Sequence, residues 1–223
     1  VTFTSSAASP AAGDWGYIKF EDSSTDATFD GNGDYSSGSI LEHCVAEYGA
    51  RSGVGIIWAA SSSPFINNCT VQYSQANGVS ITPGVAFKFT NNTLTSNGTA
   101  GLFVGTGSVS GGSTVTISGN TVSNNGSTAT DSWYNRGGMY IQDTGVTTYI
   151  TNNTVSNNTG GDAGGIHARG YVTISQNEVT GNSANNGSGG FFLSSSAGDI
   201  SVISDNLIKG NSGRHGGIQV QGE

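Results

Sequence analysis

Charge is what this chain of 223 residues has least of: only 10% of its residues are Asp, Glu, Lys or Arg. Seven Lys and Arg stand against fifteen Asp and Glu, a formal charge of −8, and the basic residues form no cluster. Nothing here would grip a phosphate backbone, so nucleic acid is not expected as a partner. Long apolar runs are missing too, and none approaches the ~20 residues a spanning helix needs, so no membrane insertion is expected. Proline occurs three times, at Pro10, Pro64 and Pro83, each beside turn residues. The N-terminus lacks the pattern of a signal peptide, as a mature secreted chain would.

What is abundant is glycine, 36 residues, together with Ser, Thr and Asn. Without periodicity that mixture would suggest disorder. Low charge and regularly spaced Val, Ile and Phe argue instead for a packed repeat. The clearest unit is Tyr149 to Arg169, Y-I-T-N-N-T-V-S-N-N-T-G-G-D-A-G-G-I-H-A-R. It returns from Val172 as V-T-I-S-Q-N-E-V-T-G-N, closing with G-G-F-F-L, and from Val202 as V-I-S-D-N-L-I-K-G-N, closing with G-G-I-Q-V. The length suits one domain better than two, so residues 1–223 are expected to form a single one.

Aligning the units places Asn92, Asn120, Asn153, Asn177 and Asn206 in one inward column, with Cys69 and Cys44 occupying it upstream. Separations of about 23 to 33 residues are solenoid periods, and the strand-like pieces are too short for helical repeats. The segments after the glycines are Ile56–Trp58, Val79–Ile81, Leu102–Val104, Met139–Ile141, Ile166–Ala168, Phe191–Leu193 and Ile218–Val220, with Ile18–Phe20 in an opening coil. The expected fold is all-β: a parallel β-helix of about eight coils stacked ~4.8 Å apart, with an internal Asn ladder. Alternation puts the first and third residues of each segment inside. Gly137-Gly138, Gly164-Gly165, Gly189-Gly190 and Gly216-Gly217 fit turns that need positive φ or close coil-to-coil approach.

The I-x-x-N-x-V...N...G-G-I-x-V units, covering nearly the whole chain, resemble the right-handed parallel β-helix repeats of the pectate-lyase-like superfamily. The resemblance implies right-handedness. It implies little about activity, because that superfamily spans lyases, hydrolases, epimerases, tailspikes, adhesins and inert shafts. None of the hydrolase motifs N-T-D, D-D, G-H-G or R-I-K is present, nor the D-P-H-D epimerase motif.

In chain order, Asp22 to Ser37 reads as a long polar loop. Its D-G-N-G-D run offers Asp30, Asn32 and Asp34 at calcium-loop spacing, but Tyr35 replaces the required glycine and Leu41 the bidentate Glu, which favours an Asx turn over a Ca2+ site. Cys44 and Cys69 in neighbouring coils would sit within disulfide reach as a bridge or as a buried thiol pair, with His43 pointing the opposite way. A bridge would imply an oxidising compartment. The outward column of the last segments reads Lys19, Ile57, Ser80, Phe103, Tyr140, His167, Phe192 and Gln219. Phe103, Tyr140 and Phe192, with His167 between, are expected as an exposed aromatic face for a protein or a sugar. Trp133 and Tyr134, in an enlarged turn, extend the expected binding surface.

Tyr140, His167 and Arg169, with Asp143 nearby, are the candidate catalytic cluster. Tyr or His would take a proton α to a uronate carboxylate while Arg169 neutralises the charge that develops. His215, in G-R-H-G-G, is expected as a turn residue beside Arg214. Sequons stand at Asn68, Asn91, Asn97, Asn125, Asn152, Asn157 and Asn186, of which Asn68, Asn91 and Asn152 should point outward. Two functions follow. The first is an extracellular or cell-surface structural solenoid, glycosylated and self-associating end to end through Ile18, Phe20, Ile218 and Val220. The second is a polysaccharide-binding or lyase-like protein.

Overall fold

The computed structural model describes residues 1–51, 53–107, 109, 114–126, 137–195 and 201–222. Among the described residues three long parallel sheets run along the stack, and each coil contributes one strand to each sheet except the first coil, which adds none to the third. Sheet I holds eight strands, among them Thr70–Gln72, Thr93–Thr95, Thr121–Ser123 and Thr154–Ser156. Sheet II, also of eight, includes Ile18–Phe20, Gly55–Ala60, Asn77–Thr82, Leu102–Val104, Met139–Ile141, Ile166–Arg169, Phe191–Ser195 and Ile218–Gly222. Sheet III has seven, including Lys88–Thr90, Val115–Ser118, Thr148–Thr151 and Val172–Ser175.

Period-two alternation sets what is buried. In sheet III, Ile66, Phe89, Ile117, Ile150 and Ile174 stack inward, each in register with its neighbour and each fully buried. Sheet I does the same with Val71, Leu94, Val122, Val155 and Val179. β-Branched side chains suit such half-buried pleats. Each buried Ile or Val contributes about 1.5–3 kcal/mol relative to exposure, which lets short strands hold together.

The corners explain the recurring N-N doublets. Between sheets III and I the chain turns through one left-handed residue: Asn68, Asn91, Gly119, Asn152, Gln176 and Asp205 have φ between 52° and 70°. Asn, Asp and Gly tolerate that region best. The next residue swings inward, which places Asn92, Asn120, Asn153, Asn177 and Asn206 in the interior column. Five residues later, at the end of the sheet I strand, the same pair of conformations recurs. Ser96, Asn124, Asn157, Gly181 and Gly210 are left-handed, and they precede a second inward column of Asn97, Asn125, Asn158, Asn182 and Asn211.

Both columns are hydrogen-bonded ladders of one polarity. The backbone N–H and Nδ2 of Asn120 both donate to Oδ1 of Asn153 at 2.9 Å, and those of Asn153 both donate to Oδ1 of Asn177 at 2.9 Å. The remaining Nδ2 hydrogen of Asn153 goes back to the Ile117 carbonyl at 3.0 Å. In the second ladder, Asn125 likewise donates twice to Asn158 Oδ1 and once to the Leu94 carbonyl. Buried amides satisfied this completely cost little to enclose.

Of the two roles open to the glycine doublets, close approach is the one observed at Gly137-Gly138, Gly164-Gly165 and Gly189-Gly190. A Cβ on Gly138 would land on the Gly165 carbonyl oxygen, and one on Gly165 would meet the Gly190 carbonyl. Neither glycine has positive φ.

Two readings of the sequence need correction. The strand Gly55–Ala60 is set one residue further along, so Trp58 pairs with Lys19 and Ser80 while Ile57 pairs with Ile18 and Val79 inside. Ile57 is accordingly fully buried, and Trp58 takes its place in the outward column. The stretch from Asp22 to Ser37 is not simply a loop: Thr28–Phe29 and Tyr35–Ser37 pair antiparallel. That hairpin lies on sheet III, Phe29 edge-on to Phe65 at 5.3 Å and Lys88 Nζ 4.4 Å from the Phe29 ring centre. Two of the sequon residues, Asn97 and Asn125, are ladder members, 2% and 1% exposed.

Candidate functional site

The outer face of sheet II gathers the residues the sequence singled out. Register places Phe103, Tyr140, His167, Phe192 and Gln219 in one column, one per coil. Their rings form a continuous stack, with centroids 5.4 Å apart from Phe103 to Tyr140, 4.8 Å to His167 and 4.5 Å on to Phe192. Interplanar angles of 45–54° are tilted contacts, favoured over face-to-face ones.

The expected exposed platform is absent at its centre: Tyr140 is 6% and His167 0% exposed, while Phe103 and Phe192 are half-buried. Arg169 is exposed two residues beyond His167 on the same face. The three residues of the candidate catalytic cluster thus share a face, but a base must come within hydrogen-bond reach of the proton it removes. His167 offers no surface from which to do so. Asp143 is turned to its own turn, where Oδ1 accepts from the Gly145 N–H at 2.8 Å. Trp133 and Tyr134 lie outside the described residues.

At the N-terminal end of the column, Lys19 Nζ sits 4.5 Å from the Trp58 ring centre and 2.8 Å from Glu21 Oε1. The hydrogen bond between them raises the Lys19 pKa and lowers that of Glu21. At the other end is a cavity of about 140 Å³ whose lining includes Asp162, Asn186, Phe192, Arg214, His215 and Gln219. Gln219 Oε1 is buried there and accepts no hydrogen bond among the described residues. Unsatisfied buried acceptors are rare and call for a donor. The cavity therefore combines a ring wall, a guanidinium, an imidazole, a carboxylate and an amide. Nothing in the linear sequence ties His215, a turn residue beside Arg214, to Phe192; the coil stacking brings them together.

The remaining candidates are placed as follows. Asp30 Oδ1 accepts from the N–H groups of Asn32 and Asp34, both at 2.9 Å, which is the geometry of an Asx turn. Among the described residues, no group of three or more His, Cys, Asp or Glu is arranged to hold a metal ion. Cys44 and Cys69 are buried free thiols in adjacent coils. Cys44 Sγ donates to the Glu42 carbonyl at 3.1 Å, and Cys69 Sγ lies 3.3 Å from the carbonyls of Leu41 and Asn67. Burial pushes the Cys69 thiol up to about 11. His43 points out to solvent, away from both.

The model describing the right handed beta helix region matches residues 18–109 and 54–223. The chain belongs to the right-handed β-helix family. Comparison with curated proteins and with solved structures gave no match. Membership of the right-handed β-helix family carries the fold, its hand and its coil stacking, and leaves function to the outer faces.

Proposed function

We propose that this protein is an extracellular structural β-solenoid, a stiff glycosylated shaft or scaffold. One observation carries the reading: two interior Asn ladders run in parallel from Asn92 and Asn97 to Asn206 and Asn211, tying coil to coil. A repeat protein contacts only its neighbours, so its rigidity is a sum of coil-to-coil terms. Side-chain ladders at two of the corners add to that sum in coil after coil. The burial of His167 in the ring stack supports the same reading, since it turns the best acid–base residue into packing. Coil-on-coil chemistry of this kind is not specific to one chain, and self-association into filaments is proposed with it. Electron microscopy of the full-length protein is the test. Straight rods or filaments are expected, whereas a flexible or globular particle would sink the structural reading, and isolated rods at high concentration would remove self-association.

A second reading, glycan binding, is favoured by the cavity beside Phe192. The ring offers a face for a sugar, the Gln219 amide a polar partner for a hydroxyl, and Arg214 a partner for an anionic substituent. Titration with neutral and acidic oligosaccharides, followed by NMR, tests it. Arg214→Ala should weaken an acidic ligand at least tenfold. No shift of the Phe192 or Gln219 signals with any sugar would end this reading.

A further inference from the structure

The two ladders divide the sequons into classes with opposite consequences. At Asn68, Asn91, Asn152 and Asn157 the left-handed corner turns the side chain outward, and all four are exposed, as is Asn186. Each of the first four is immediately followed by the residue that turns inward, so N-N-T is the repeat's own grammar. At Asn97 and Asn125 the sequon falls one step later, on the ladder residue itself. Both hydrogens of Asn97 Nδ2 are used, to the Val71 carbonyl at 3.1 Å and to Asn125 Oδ1 at 2.9 Å. Its Oδ1 receives the Ser74 N–H at 3.1 Å. Asn125 Nδ2 is spent in the same way, on the Leu94 carbonyl at 2.9 Å and Asn158 Oδ1 at 3.0 Å.

We infer that N-glycosylation at Asn97 or Asn125 and folding of the solenoid are mutually exclusive, so that glycans are confined to the outward corners. In N-glycosylation the amide nitrogen attacks C1 of a lipid-linked oligosaccharide. An N–C bond forms, the C–O bond to the lipid pyrophosphate breaks, that pyrophosphate leaves, and Nδ2 loses one proton. A modified Asn97 therefore keeps one hydrogen where the ladder uses two, and it carries a bulky polar chain into an interior where coils are ~4.8 Å apart. The reaction acts on the unfolded nascent chain, before burial protects the amide. A compartment that glycosylates nascent chains would consequently trap part of this protein unfolded, whereas an export route without that step would not. The inference rests on the extracellular, glycosylated reading given above.

The test is secretion of the full chain from a glycosylating host, with and without an inhibitor of lipid-linked oligosaccharide synthesis. Occupancy at each sequon is read by mass spectrometry in the secreted and the retained fractions. Secreted protein with native circular dichroism should carry glycan only among Asn68, Asn91, Asn152, Asn157 and Asn186. The retained fraction should be enriched in glycan at Asn97 and Asn125, and the inhibitor should raise the secreted yield severalfold. The double variant Thr99→Ala, Ser127→Ala, which removes both ladder sequons and keeps both ladder amides, should raise the yield without the inhibitor. Glycan at Asn97 or Asn125 in secreted, natively folded protein would overturn the inference and leave the glycoprotein reading standing. Empty sequons throughout both fractions would instead overturn the glycoprotein reading, and the inference with it.

Discussion

Replacing Asn153 by Leu should be among the most damaging single changes in the chain, and the damage can be worked out bond by bond. Four hydrogen bonds disappear: two from Asn120 into Oδ1 of Asn153, one from Asn153 Nδ2 to the Ile117 carbonyl, and one to Asn177 Oδ1. Asn177 Oδ1 keeps the N–H of residue 153, and Asn120 Nδ2 keeps the carbonyls of Phe89 and Ser118. The Asn120 N–H, by contrast, is left with nothing. Asn120 is 1% exposed, so water does not replace the lost acceptor. One orphaned buried donor costs about 1–3 kcal/mol, and the weakened partners bring the expected loss to about 3–5 kcal/mol. Leucine recovers little of this, because its branched end must occupy a slot shaped for a planar amide.

The assay is native-state hydrogen exchange, which reads stability coil by coil where a solenoid need not unfold in one step. In Asn153→Leu the amides of Asn120, Thr121 and Thr154 should lose roughly two to three orders of magnitude of protection, with the effect fading two coils away. Its neighbour supplies the control. Asn152 is exposed and left-handed, with φ 57°, so Asn152→Gly should change stability by no more than about 0.5 kcal/mol. Equal small effects from both substitutions would show that the ladder is not what holds adjacent coils together.

Gly165→Ala should destabilise by about 2–3 kcal/mol, since its methyl group would meet the Gly190 carbonyl and Val179, and an unchanged denaturation midpoint would contradict the close-approach reading. Burial makes the Cys69 thiol harder to ionise in the folded state, raising its pKa from the ordinary 9.0 to about 11. The unfolded chain therefore gains thiolate first, and stability should fall as pH rises from about 9 to about 11. Cys69→Ala should flatten that fall in pH-dependent denaturation, and an unaltered slope would refute the assignment. Native protein at pH 8 should react with a thiol reagent at Cys69 no faster than it opens.

The fold was legible because the repeat writes every structural demand several times over. Inward Ile and Val, the glycine doublets and the first Asn column recur at aligned positions, so a misreading in one coil is corrected by the next. The second column was equally periodic, five residues after the first in Asn92 and Asn97, Asn120 and Asn125, and Asn153 and Asn158. Two of its members, Asn97 and Asn125, also spell sequons, so the same letters carry two meanings. Position in the repeat outranks the motif here, since the residue after a left-handed corner has to turn inward.

The outer face was harder to read, for a physical reason. A strand states which side chains alternate, and a one-residue shift reverses every assignment. In Gly55–Ala60 the run Ile56-Ile57-Trp58 is apolar throughout, so alternation offers no internal check, and only pairing with Ile18 and Val79 settles that Trp58 faces out. Facing out is also not the same as being exposed. His167 points away from the coil interior and is still fully buried, with rings one coil above and below at 4.8 and 4.5 Å. A lone outward histidine in one coil would be a candidate base, whereas the same residue between Tyr140 and Phe192 is a member of a stack. Where the stack ends, at Gln219, the face opens into the cavity lined by Arg214 and His215.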